Sequence, residues 1–250
     1  MENYNNSQIE PTIAYDVVTL PSNGIFYNKK SLKVSYLTAS DENILSSTNL
    51  SQSGELMDVL LQNKIQDKDI DVKQLAECDK QAIFIFLRNT AFGSEYKFTL
   101  TDPDTNKQFD HIEDLSIVRT KEVKFEPNEK GQFNFTLPMS NKKVKLRLIT
   151  PKDQLDLDDL EKSYGDMKVK PMATKRLEKS IIDIDGEVDP MTLSATIHTL
   201  PLKDAQAVKK FLSQVQPGLD VTRTTTAPSG KEVKFSLNFG LNFFRPFFGL

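Results

Sequence analysis

The chain has 250 residues, enough for one large or two modest domains with cores of their own. Its 32 basic and 35 acidic residues nearly cancel, to a formal charge of −3, and the basic residues fall in scattered pairs, which argues against a nucleic-acid binder. Cys78 is the single cysteine, which excludes an internal disulfide, and the longest apolar run, Ala82 to Leu87, is far short of the roughly 20 residues of a membrane span. A soluble protein of a reducing compartment is expected.

Residues 1–14 show no basic segment followed by an apolar run, so they read as a flexible polar arm and not as a signal peptide. Two short strands follow, Val17 to Leu20 and Ile25 to Tyr27, separated by a Pro-Ser-Asn-Gly turn, and a third alternates through Leu32, Val34 and Tyr36. Thr38 and Asp41 form a capping box that opens a short helix. Leu56, Val59, Leu60 and Ile65 have the spacing of one apolar helix stripe. Periodicity cannot assign the apolar stretch from Asp79 to Gly93; its length and its end residues favour a helix with Gly93 as a left-handed stop.

From Tyr96 the pattern alternates. Tyr96, Phe98 and Leu100, then Val123 and Phe125, then Phe133, Phe135 and Leu137, then Val144, Leu146 and Leu148 predict four or more half-buried strands, with turns at 126–131 and 139–143. Thr150, Pro151 and Asp153 open a helix with Leu157, Leu160 and Tyr164 on its apolar side. A second helix starts at Pro171 and runs through Leu177 and Ile181; a third, from about Asp204, ends before Pro217 and Gly218. Val233, Phe235, Leu237 and Phe239 predict a last strand that continues into the closing LNFFRPFFGL.

The class is therefore α+β. The expected organisation is an arm at 1–14, an N-terminal small β-sheet with helices at 15–93, and a β-rich region at 94–250 with a helical insertion at 151–218 and an aromatic tail at 241–250.

Candidate chemistry is sparse. His111 and His198 stand apart from any nucleophile turn or metal-spaced partner, and the sequence has no GxSxG, P-loop, GxGxxG or HExxH pattern. An enzyme such as a cell-wall hydrolase would need positioned carboxylates or metal ligands, and no pair can be nominated. The acidic stretches 156–162 and 183–189 fit a solvated helix face and a turn. Residues 102–113 place Asp102, Asp104, Asn106, Asp110 and Glu113 at calcium-loop positions, but Lys107 replaces the turn glycine and the flanks read as strands, so a hairpin tip is favoured. The tips in YKFTLTDPDTNKQFD and VTRTTTAPSGKEVKF are laid out like the two knuckles of a zinc ribbon without the cysteine pairs, a metal-free ribbon held by packing alone.

LPSNGIFY (20–27), VSYLTASDENILSS (34–47), DKQAIFIFLRNTAFG (79–93), the ribbon-like tips and FFRP (243–246) together resemble the baseplate hub and hub-assembly proteins of T4-type contractile-tailed phages. The resemblance implies a non-catalytic protein of the tail baseplate, assembled in the host cytoplasm, without a cofactor or small-molecule substrate, whose partners are other tail and baseplate proteins. An assembly chaperone absent from the mature particle is the alternative within that family, and a calcium-binding module the alternative outside it. Relatives carry cysteine knuckles where this chain has 102–106 and 227–230, so a zinc ion does not transfer, and 119–150 looks like an added β-rich segment. The expected partner-binding residues are Phe243, Phe244, Arg245, Pro246, Phe247 and Phe248, since aromatic and arginine side chains dominate interfaces. The tail packing back on its own fold is the competing expectation.

Overall fold

The structure, a computed structural model, describes residues 13–123 and 125–244. Among these residues there are eight α-helices and four small antiparallel sheets, one of three strands and three of two, an α+β fold. Strand β1 (Tyr15–Thr19) pairs with β2 (Ser31–Ser35), from Tyr15 opposite Ser35 to Thr19 opposite Ser31. The strand expected at Ile25 to Tyr27 is instead part of a turn. Asn23 and Gly24 both take positive φ (48° and 81°), which breaks an extended chain, and the Leu20 amide donates to the Lys30 carbonyl across the turn's base.

Helices α1 (Asp41–Leu45), α2 (Thr48–Ser53), α3 (Leu56–Lys64) and α4 (Glu77–Phe92) pack beside this hairpin. Asp41 accepts from the Thr38 amide at 2.7 Å and from its hydroxyl at 2.8 Å, one half of the expected capping box; the Asp41 amide donates to the Thr38 carbonyl and not to its hydroxyl, so the other half does not form. Asp41 is buried and also takes the ammonium of buried Lys64, so the charge of each is matched where water is excluded. Gly93 stops α4 at φ 82°, ψ 169°, an extended positive-φ state open to glycine alone, where a left-handed stop was expected.

Leu20, Leu32, Val34, Leu60, Leu61, Ile83 and Leu87 form a first core, and Tyr96, Leu115, Leu237, Phe243 and Phe244 belong to it as well. A second core gathers Phe133, Leu137, Val144, Leu146, Ile181, Ile197, Val208 and Val215. It lies between the sheet β5 (Gln132–Thr136), β6 (Lys143–Arg147), β7 (Ile181–Ile184), in that order, and three helices that follow α5 (Pro151–Ser163): α6 (Met172–Ser180), against which α5 packs, α7 (Pro190–His198) and α8 (Leu202–Val215). The capping box of α5 is present with both of its bonds, Thr150 to the Asp153 amide and Asp153 to the Thr150 amide. The α6 helix ends one residue before Ile181, which starts β7; neither β7 nor α7 was expected.

The second core hangs from the first by an antiparallel neck, where the Lys121 amide donates to the Gly218 carbonyl and the Asp220 amide to the Arg119 carbonyl, both at 2.8 Å. The 20–30 turn adds a wedge, with Ile25 and Phe26 packed against the second core. Burial thus groups 15–93 with both ribbon-like hairpins, and separates from them the segment between residues 123 and 215.

Candidate functional site: paired hairpins and the aromatic end

Strand β3 (Glu95–Thr101) pairs with β4 (Gln108–Asp114), and β8 (Thr222–Thr226) with β9 (Glu232–Ser236). Their tips close alike. In the first, the Asp102 amide donates to the Lys107 carbonyl and the Asn106 amide to the Asp102 carbonyl, both at 2.9 Å. In the second, the Ala227 amide donates to the Lys231 carbonyl at 2.8 Å and the Gly230 amide to the Ala227 carbonyl at 2.9 Å. Asn106 and Gly230 supply the positive φ each turn needs, 54° and 86°.

The tips are joined through Asp102, which is buried. Its Oδ1 accepts from the Ser229 hydroxyl at 2.8 Å and the Asp104 amide at 2.9 Å, and its Oδ2 from the Ser229 amide at 3.0 Å. Burial alone would raise its pKa; the Ser229 and Asp104 bonds outweigh it and hold the carboxyl below the usual range. Further along, Arg223 Nε donates to Glu113 Oε1 at 3.0 Å, while His111 Nε2 lies 3.3 Å from Glu113 Oε2. Phe98 packs edge-on to His111 and to Phe235 at 5.4 and 5.3 Å between ring centres. Side-chain packing and hydrogen bonds occupy the space between the hairpins.

These contacts give three of the calcium-loop residues other partners. Asp102 is used by Ser229, Glu113 by Arg223, and Asp110 by Lys97 at 2.8 Å, while Asp104 and Asn106 stay on the tip. Asp110 and Glu113 are an odd number of residues apart on one strand, so they face opposite sides of the sheet. Among the described residues no group of three or more His, Cys, Asp or Glu is placed to hold a metal ion. His198, on an exposed face, lies 3.4 Å from Glu178 Oε1, which also accepts from the Ser194 hydroxyl at 2.8 Å.

The chain's end closes the first core. The expected strand continuation is replaced: β9 stops at Ser236 and residues 241–244 form a 3₁₀ turn that places Phe243 and Phe244 inside, both at 0% exposure. Phe244 meets Phe84 at 5.7 Å and Phe243 meets Tyr96 at 5.1 Å, both edge-on. Beneath them Arg88 is buried without a carboxylate partner among the described residues. Its guanidinium donates to the Gly93 and Glu95 carbonyls at 3.1 Å each and lies 4.9 and 5.5 Å from the ring centres of Tyr96 and Phe243. Phe243 and Phe244 are thus packed inside the first core. Arg245, Pro246, Phe247 and Phe248 lie outside the described residues.

No pattern in the sequence marks Arg88, or the loop-organising role of two further buried aspartates, Asp79 and Asp204. Besides Asp102, Asp79 accepts from the Ser22 amide at 2.8 Å and hydroxyl at 2.6 Å, fixing the base of the wedge turn, and Asp204 accepts from the Met139 and Ser140 amides at 2.7 and 3.0 Å. Asp79 pairs with no cation among the described residues, and burial raises its pKa against the two Ser22 bonds.

A family model described as T4 bacteriophage base plate protein matches residues 12–245, nearly the whole chain. No curated protein and no solved structure matches it.

Proposed function

The chain belongs to the T4 bacteriophage base plate protein family and is a structural protein of the phage tail baseplate, and from that membership we propose that it serves in the hub, as a non-catalytic subunit that docks on neighbouring proteins and fixes their geometry. The match over 12–245 carries this reading. The shape of the molecule supports it: two cores joined by a neck and a wedge make a spacer with several separate faces. The paired hairpins read as a metal-free ribbon whose knuckles are held by Asp102 and Ser229 in place of zinc. Assembly takes place in the host cytoplasm.

With Phe243 and Phe244 in the core, the docking role of the chain's end rests on Arg245, Pro246, Phe247 and Phe248. Two truncations separate the contributions. A chain ending at Phe244 keeps the first core, and is expected to fold and to lose binding to hub subunits in a co-purification assay. A chain ending at Asn238 loses two fully buried rings, and is expected to unfold. Full hub binding by the chain ending at Phe244 would remove the proposed role of the last residues.

A further inference from the structure

The second core's sheet has an open side. In the order β5, β6, β7, strand β5 has a neighbour on one edge only. Phe133 lies opposite Leu146 and Phe135 opposite Val144, and the Leu137 amide donates to the Lys142 carbonyl at 2.9 Å. Residues 133, 135 and 137 therefore turn their main-chain groups toward β6, and by alternation Asn134 and Thr136 turn theirs outward. At Gln132 the outer edge is already closed, since its carbonyl accepts from the Asn128 amide and its amide donates to Asn128 Oδ1, each at 2.9 Å. At Asn134 and Thr136, both exposed, it takes no main-chain partner among the described residues. The strand reads QFNFT, with none of the lysines or prolines that usually guard an edge.

Beside this edge runs a groove of about 630 Å³, with α8 on its far side. Phe211 of α8 lies 4.9 Å from Phe135 and 5.4 Å from Phe125, whose ring is half exposed, and Gln214 continues the wall. Glu126, on the rim, is exposed and makes no ion pair among the described residues. An open strand edge beside an aromatic groove and a helix is the arrangement that takes an extended peptide by strand addition.

We propose that an extended segment of a different baseplate subunit joins β5 as an added strand, its main chain bonded to Asn134 and Thr136, a large apolar side chain in the Phe125–Phe211 groove, and a lysine or arginine against Glu126. The inference rests on the baseplate reading. The carboxylate of Glu126, without an ion pair among the described residues, selects the occupant. A second copy's β5 brings no cation within QFNFT, and its own phenylalanines face inward, so self-pairing would leave both groove and carboxylate unfilled.

The test uses the full chain, supplied to the phage with its own gene deleted, with photo-reactive p-benzoylphenylalanine at Asn134 or, as control, at exposed Thr224 of β8. The expected result is a cross-link from position 134, and none from 224, to one contiguous segment of another subunit in baseplates or assembly intermediates. Asn134→Pro removes an outward amide without touching the β6 ladder, and Phe125→Ser empties the groove; each should cut incorporation at least tenfold with an unchanged circular dichroism spectrum. Chain present in particles with no cross-link from 134, and either folded variant incorporating normally, would overturn the proposal while leaving the baseplate role intact. A cross-link to a second copy would overturn the choice of occupant. Chain absent from particles and intermediates alike would overturn the baseplate role and this proposal together.

Discussion

Asp102 and Ser229, 127 positions apart, meet through both carboxylate oxygens, with the Ser229 hydroxyl at 2.8 Å and its amide at 3.0 Å. This contact joins the two hairpin tips through one carboxylate. Asp102→Ala should release the second tip: hydrogen exchange at the Ser229 amide is expected to accelerate, with little change at the helices of the second core. Because the folded carboxyl is held below its unfolded pKa, the contact contributes fully above the unfolded value of about 4 and is lost as pH falls below it.

Phe244→Ala removes a fully buried ring from the first core. Such truncations cost about 3–5 kcal/mol, and urea unfolding of the purified protein should show a midpoint lowered accordingly. An unchanged midpoint would mean that the ring is not held inside in solution.

Arg88→Met keeps most of the side chain's volume but removes the donors to the Gly93 and Glu95 carbonyls. Each stranded acceptor should cost about 1–3 kcal/mol, and Arg88→Lys, which cannot fork to both, should recover only part of it. Thermal unfolding of the two variants beside the wild type checks the ranking.

Cys78 is buried, and burial pushes its thiol up to about 11. A thiol reagent at pH 8 should leave the folded protein unlabelled for hours and label it completely in denaturant, since the thiolate is the reactive form. Rapid labelling of the folded protein would contradict the packing of the first turn of α4.

Asp153 closes the α5 capping box and pairs with Arg147 at 2.6 Å. Burial would raise its pKa, but the Arg147 and Thr150 bonds outweigh that and lower it. The folded carboxyl binds its proton more weakly than the unfolded one, so its contribution is complete above a pH of about 4 and falls away in more acid solution. Asp153→Ala should cost roughly 1–2 kcal/mol at pH 7, shrinking toward zero in acid. A loss that is equal at both pH values would assign the effect to the helix start alone.

The parts of the fold that were legible in the sequence are those specified by neighbouring residues. The Thr150–Asp153 box, the Thr38–Asp41 contact and the long helix before Gly93 each depend on positions a few residues apart, where propensity and capping act directly. Ile25 and Phe26 carry strand-forming side chains, but the positive φ of Asn23 and Gly24 and the pull of the second core decide their conformation, and neither is visible in a short window. The short strand β7 is hidden by its helical approach through Leu177. At the site, composition marked Asp102 and the aromatic end, but not what they touch. Asp102 resembled a cation ligand because an oxygen that takes amide hydrogens looks the same in sequence as one that takes a metal. Phe243 and Phe244 resembled an interface because core and interface use the same side chains.

The most direct test of the docking account is a quantitative mass-spectrometric census, with chemical cross-linking, of purified baseplates and of baseplate assembly intermediates from the phage that encodes the chain. The account predicts the chain in one or both, in a fixed whole-number ratio to the other subunits and cross-linked to at least two of them, with assembly halted when its gene is deleted. Absence from both, with normal baseplates formed by the deletion, would contradict it.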